Sequence, residues 1–368
     1  MSKENKRKQH YSGIGGQAVI EGIMMKNKEE YSLAVRKPDG SIAVEKKTYK
    51  GILSGSGILK VPFLRGVFVF IDSMVLGIKT INDSAAYFEE EPGKDSDIKL
   101  TETVPETETE NTETENTETE NAETENAETE NTAKEKKVEQ KAAGDKRREN
   151  VQMGFVVTLS LAIAIGLFTV LPFYLSRLLK TVILNESVLN LVEGLFRILI
   201  FVIYLRLIAC MKDMQRVFMY HGAEHKCINC IEHGRPLNVE NVMRSSRQHR
   251  RCGTSFLLYV MLISIFVFFF ISVDNMGLKL LFRVLLIPVI AGISYEILSF
   301  AGKHSNGFVR ALAAPGLWMQ KLTTREPDAD MAEVAIAAVE AVFDWKKYLQ
   351  DEFGYDEDDW KDYEESSD

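Results

Sequence analysis

The chain has 368 residues and a formal charge of −9, but the acidity is concentrated in two places. Residues 101–131 hold twelve Glu and no base, and residues 351–368 hold ten acids against Lys361; removing these −12 and −9 from the total leaves +12 on the rest. A uniformly acidic soluble protein is therefore excluded, and a disulfide framework is not expected for the four cysteines, which fall in or beside a connection assigned below to a reducing compartment.

The first residues (MSKENKRKQHYSG) are basic with no apolar run behind them, so no cleavable signal peptide is expected. Residues 14–50 alternate in short runs: AVIEGIMM, then SLAVRK, a Pro38-Asp39-Gly40 turn, and SIAVEKKTY. Proline presets φ and glycine accepts positive φ, so the pattern predicts a hairpin within a small cytoplasmic β-unit over 1–56. Gly13, Gly15 and Gly16 ahead of it read as a tight turn rather than a phosphate loop. Residues 57–90 predict an amphipathic or membrane-associated helix, because Arg65, Asp72 and Lys79 are seven apart and share one stripe. A disordered Glu-rich linker is expected over 91–150, where like charges repel and little apolar surface exists to seed a core.

Four apolar stretches follow, at 155–175, 189–211, 256–273 and 280–300, each close to the roughly 20 residues that cross a bilayer. Within the second, Glu193 and Arg197 are one turn apart and are expected to pair. Lys and Arg collect before the first stretch, between the second and third, and after the fourth. The positive-inside rule then places both termini and the loop 212–255 in the cytoplasm. Residues 306–350 read as a cytoplasmic helical segment: a short helix interrupted near Pro315, then a helix over 331–348 with Val334, Ala338, Val342 and Trp345 on its apolar face. An acidic tail closes the chain over 351–368. The fold class is a mainly α, multi-pass integral protein of the cell membrane with about four transmembrane helices over 151–305. Its expected partners are the lipid bilayer and a substrate, with no nucleic acid.

The residues with ligand chemistry gather on one membrane face. His221-Gly222-Ala223-Glu224-His225 is H-x-x-E-H, and two histidines four apart fall on one face of a helix, where both can reach a single divalent metal, with zinc expected. Glu224 between them is placed as a general base. Cys227-x-x-Cys230 has the spacing of half a zinc knuckle, but no second such pair exists, so reduced cysteines without a role are the alternative. His249 and Cys252, three apart, enter the third stretch together. Glu296 lies near the cytoplasmic end of the fourth, with His304 after it. A carboxylate in an apolar helix is costly, so Glu296 is either a metal ligand or the partner of a cation. The function expected is that of a metal-dependent enzyme, a hydrolase; the alternative is a non-catalytic membrane factor whose metal staples the loop.

GGQAVIEGIMM (15–25), VPFLRG (61–66), YHGAEHK (220–226), HRRCGTSF (249–256), SYEI (294–297), APGLWMQKLTTREPD (314–328) and EVAI (333–336) together resemble the signatures of the domain of unknown function 1385 family, the YqhQ-type bacterial membrane proteins. The resemblance covers nearly all of the chain except the acidic repeat and tail. It implies a metal-dependent enzyme without an established substrate. It also implies His221, Glu224, His225, His249, Cys252 and Glu296 as site positions, and adds Glu21 of the IEG motif.

Overall fold

The computed structural model describes residues 9–51, 61–89, 154–271, 273, 275–304, 306–356 and 359. The linker expected over 91–150, with its acidic repeat, and most of the acidic tail lie outside the described residues. The chain divides into two compact units, one of Met1–Pro92 with Pro172–Asp368 and one of Gly93–Leu171. The described part of the second unit is the start of a helix, Gly154–Leu178, which contains one wider π-type turn at Gly166–Val170. Apart from that segment, the elements below belong to the first unit.

Strands β1 (Gly15–Val19), β2 (Gly22–Asn27), β3 (Glu30–Arg36) and β4 (Ile42–Thr48) form an antiparallel meander in chain order. The Pro38-Asp39-Gly40 turn joins β3 to β4: Gly40 takes a φ of +85°, and Asp39 Oδ1 accepts the Ser41 backbone N–H at 2.9 Å. Two-residue turns make the other links, with Glu21 and Lys28 at left-handed φ of 48° and 56°. Side chains alternate between the two faces of a strand. Ile23, Met25 and Ala34 therefore point one way, and Met24, Leu33 and Val35 the other.

Helix α1 (Leu64–Glu89) covers the second face of the sheet through Leu76. It is built inside out. Asp72, Thr80 and Ser84 are buried, while Ile71, Met74, Val75 and Ile78 are exposed. Of the charged stripe expected here, Arg65 and Asp72 turn toward the protein, Asp72 accepting from the Tyr49 hydroxyl at 3.3 Å, and Lys79 is exposed.

Three helices are long and apolar enough to cross a membrane: α2 (Gly154–Leu178), α3 (Glu186–Ile208) and the continuous run Gly277–Lys303. The stretch at 256–273 forms a shorter helix than expected. It is α6 (Gly253–Phe269), and its 17 residues reach about 25 Å at 1.5 Å per residue, against a hydrocarbon core of about 30 Å. The run Gly277–Lys303 is made of α7 (Met276–Leu285) and α8 (Ile287–Lys303). The expected pair between Arg197 and Glu193 forms at 3.1 Å, and Arg283 joins it at 2.6 Å, so the buried carboxylate of α3 faces two guanidinium groups.

The first face of the sheet packs on α4 (Lys212–Glu232) and α10 (Ala329–Glu340), which build a shared core with the short α5 (Val239–Arg244). Helix α9 (Gly307–Thr323) runs through Pro315 without the expected interruption. It is clamped on α6, where a Cβ on Gly316 would lie 2.6 Å from the Ser255 hydroxyl and Gln320 Nε2 donates to that hydroxyl at 2.9 Å. This packing outweighs the one backbone hydrogen bond that a proline removes. The helix expected over 331–348 is two helices, α10 and α11 (Trp345–Phe353). Asp344 accepts the Lys347 N–H at 2.9 Å and starts the second as an N-cap. Val334, Ala338, Val342 and Trp345 still enter one core.

Candidate functional site

The HGAEH residues lie on the buried second half of α4. Gly222 lets the chain after α9 approach the helix backbone: a Cβ there would lie 2.0 Å from the Arg325 carbonyl oxygen. Arg325 N–H in turn donates to Phe218 O at 2.8 Å. That close approach brings the Thr323 carbonyl to His221, whose Nδ1–H donates to it at 2.8 Å. On the neighbouring side of α4, His225 Nδ1–H donates to Arg247 O at 2.7 Å, and Asn229 Nδ2 donates to Ser246 O and Gln248 O at 2.6 and 3.0 Å. The buried Lys226 ammonium donates to Met243 O and Ser245 O at 2.6 and 3.0 Å. One stretch of α4 thus holds the whole 243–249 loop, and this delivers Cys252 to the histidines.

A carbonyl oxygen only accepts, so both histidines carry their proton on Nδ1 and turn Nε2 inward. His221 Nε2 lies 3.1 Å from Cys252 Sγ. The ligand atoms of His221, His225 and Cys252 all fall within 4.8 Å of one another. Ligands on a tetrahedral zinc, at roughly 2.0–2.3 Å from it, stand about 3.3–3.8 Å apart, so small side-chain adjustments would close the set around one ion. The donors fit a metal in kind as well: two imidazoles held by backbone carbonyls and one thiolate. Burial opposes charge on His221 and Cys252, yet each supports the other. The Cys252 charge and hydrogen bond raise His221 to about 9, while His221 and His225 hold the Cys252 thiol well below its ordinary value. A cation at the centre would take over from the proton they share.

Glu224 is 4% exposed, with Oε2 at 3.9 Å from His221 Nε2 and 3.6 Å from His225 Nε2. It looks into a cavity of about 520 Å³, whose opposite walls come from β1, the residues before it, and α8. His249 lines the same cavity, its ring centroid 5.6 Å from that of His225. Its Nε2 faces Arg251 at 3.2 Å and Glu232 at 3.6 Å instead of the His/Cys centre.

The other candidates stand apart from this cluster. Glu296 is gripped by Arg65, Oε1 accepting from Nε at 2.7 Å and from the Phe63 N–H at 3.3 Å, which is the ion-pair arrangement. Cys227 and Cys230 point into the core between α4 and α10; burial pushes Cys227 far up and Cys230 up to about 12, so both stay protonated. Glu21 binds Arg216 and accepts from the Tyr220 hydroxyl at 3.3 Å. His304 stacks on Phe300 with ring centroids 4.4 Å apart.

Sequence reasoning passed over Glu232, a fully buried carboxylate at the end of α4. It accepts from Ser12 N–H at 3.0 Å, Ser12 Oγ at 2.7 Å and Gln9 Nε2 at 3.0 Å, and it pairs with Arg251. Burial alone would raise this acid, but His249 and Arg251 hold it down to about 2. The clue was its place seven residues after His225, on the same helical stripe.

A family model described as "protein of unknown function (DUF1385)" matches residues 61–345 of this chain. The uncharacterized protein YqhQ of Bacillus subtilis (strain 168) is 33% identical over 323 residues, which cover 88% of this chain and 89% of that protein. No solved structure matches.

Proposed function

The chain belongs to the DUF1385 family, and from that premise and the geometry of the site we propose that it is a metal-dependent membrane hydrolase working at the cytoplasmic face of the cell membrane. The observation that carries the proposal is the orientation of two imidazoles. Both histidines spend Nδ1–H on backbone carbonyls, which leaves two Nε2 atoms and Cys252 Sγ aimed at one point beside Glu224, on the wall of a cavity.

His221 Nε2, His225 Nε2 and Cys252 Sγ would hold a divalent ion, zinc by donor type. Such an ion supplies a Lewis acid that polarises the substrate's acyl oxygen and lowers the charge cost of attack. Glu224 takes up at Oε2 the proton that an attacking water releases as its oxygen bonds to the acyl carbon. It returns that proton to the leaving group as the scissile bond breaks. The Thr323 and Arg247 carbonyls fix both imidazole tautomers and ring planes, so the donors are set before the metal arrives. The membrane setting is supported by the three long apolar helices and by α1, whose polar groups face inward and whose apolar groups face out. The positive-inside pattern supports cytoplasmic termini and a cytoplasmic site.

The test is elemental analysis of the full chain purified without chelator, beside a His221→Ala/His225→Ala variant and Glu224→Gln. We expect about one zinc per chain in the wild type and in Glu224→Gln, and none in the double variant. Glu224→Gln should also lose hydrolysis of a peptide and ester panel. A wild type that carries no metal refutes the reading. A Glu224→Gln protein with full function in cells would instead make the metal a structural staple.

A further inference from the structure

The cavity beside the histidines has an unusual wall. Residues Gly13 to Ala18 line it without interruption, so neighbours whose side chains point to opposite faces of the sheet both border it. A strand presents consecutive residues to one space only along its edge, because its faces alternate. Strand β1 is an edge strand, first in the order β1-β2-β3-β4, and α1 and α4 cover the two faces beside it. The free edge of the sheet therefore opens into the cavity.

The register says which backbone groups point there. β1 and β2 are joined by the two-residue turn Ile20-Glu21, so Val19 and Gly22 are the hydrogen-bonded pair that closes it. Pairs alternate along an antiparallel ladder. Gln17 and Gly15 then bond to β2, while Gly16 and Ala18 turn N–H and C=O outward. Among the described residues, neither has a backbone partner beyond its own sheet. Two donors and two acceptors thus line the cavity in the repeat that an extended backbone satisfies. Gly16 also lies against the site: a Cβ there would be 2.9 Å from Glu224 Cγ.

Gly15 is the second observation. Its φ lies outside the left-handed region, and a Cβ built on it meets nothing within 4 Å. Neither backbone conformation nor packing requires glycine at this position, although glycine costs a strand about 1 kcal/mol or less. A glycine inside a strand that its own fold does not crowd leaves open space beside the strand, of the kind found where a ligand or another backbone approaches.

We infer that the substrate is an extended peptide segment that adds as a further strand to the free edge of β1, passing through the cavity beside the His221/His225/Cys252 centre. The inference rests on the hydrolase reading for what happens to the peptide, but its binding mode stands on the strand edge alone. Added at the usual spacing of about 4.8 Å from β1, such a strand occupies the space between the glycine-rich edge and α8. Ile14, Val217, Phe218, Leu257 and Leu298 line the space around it, so the side chains favoured are apolar. Hydrolysis would add water across one amide of that strand, the hydroxyl going to the acyl carbon and the remaining proton to the released amine as the C–N bond breaks.

The experiment measures binding to full-length Glu224→Gln protein in lipid nanodiscs loaded with zinc, so that turnover does not deplete the probe. The probe is a fluorescein-labelled, end-capped hexapeptide of alternating leucine and alanine. Two further versions are N-methylated at every second amide, one in each phase. The parent should bind, and one of the two methylated phases should bind at least about ten-fold more weakly, since about two backbone hydrogen bonds are lost. Ala18→Pro, whose ring replaces an outward N–H and takes no bond from the β1–β2 ladder, should keep its zinc while losing parent binding at least ten-fold. Equal binding of the parent and both methylated forms overturns the strand-edge mode. So does undiminished binding to a folded Ala18→Pro protein, or competition for the cavity by phospholipid vesicles and not by unlabelled peptide. If the parent binds in the expected phase but wild-type protein never cleaves it, the hydrolase reading falls while the peptide site stands.

Discussion

Glu232 offers the sharpest energetic test of the structure, because its burial and its partners pull in opposite directions. The carboxylate is fully buried, yet it titrates at about 2 against an ordinary 4.5. A depression of this size corresponds to about 3 kcal/mol of preference for the anion in the folded state. The sign follows from linkage. A folded value below the unfolded one contributes stability that is complete above about pH 4.5 and lost as pH falls toward 2. Glu232→Gln keeps the shape but leaves Arg251 facing a neutral amide; with the amide oxygen kept toward Ser12, the new NH2 replaces the oxygen that accepted from Gln9. We expect a loss of about 3 kcal/mol at pH 7, within the range for breaking one side of a buried pair. At a few degrees per kcal/mol this lowers the thermal midpoint by about 5–10 °C. The assay is intrinsic-fluorescence melting of the full chain in detergent across pH 7.5 to 3. The difference between wild type and variant should narrow steadily below about pH 4.5. A difference that stays constant to pH 3, or is absent at pH 7, refutes the argument that the Glu232 anion is stabilised by Arg251 and His249 in the fold.

Single changes separate the ligand sets. Cys252→Ser should lose zinc as the histidine variants do, whereas Glu296→Gln should keep it, because Glu296 is spent on Arg65; elemental analysis decides, and loss of zinc in Glu296→Gln would put that carboxylate in the shell. Gly222→Ala forces a Cβ toward the Arg325 carbonyl and should cost about 1–3 kcal/mol, read as a lower thermal midpoint together with reduced zinc retention. In chelator-treated protein, Cys252 should react with iodoacetamide at pH 7 as a thiolate, the rate falling only well below the ordinary thiol range, since His221 and His225 stabilise the anion against burial. Zinc should suppress that reaction, and mass spectrometry locates the adduct; unchanged labelling with zinc present would remove Cys252 from the ligand set. Cys227 and Cys230, whose thiols are raised by burial, should stay unlabelled in the folded protein.

Much of the site was legible because short-range periodicity carries it. His221 and His225 converge for the same reason that any residues four apart on a helix do, and the Pro38-Asp39-Gly40 hairpin follows from local φ preferences. What could not be read is what depends on partners distant in the chain. The choice of Cys252 over Glu296 turns on Arg65, 231 residues from Glu296, and on Lys226 and Asn229 binding the carbonyls of a loop about 20 residues on. Backbone carbonyls leave no mark in the side-chain pattern, so Thr323 O and Arg247 O, which orient both imidazoles, had no sequence signal at all. The glycines show the same limit from another side. Gly13, Gly15 and Gly16 read as a turn because glycine most often serves backbone freedom, and Gly13, at φ +82°, does. Gly16 is small because the Met24 carbonyl, Met25 and Glu224 leave it no room, and Gly15 is small although nothing in its own fold crowds it. Three identical residues within four positions thus answer to three different constraints. Only the third is set by nothing in its own fold, and it leaves open space beside the strand edge where a peptide would add.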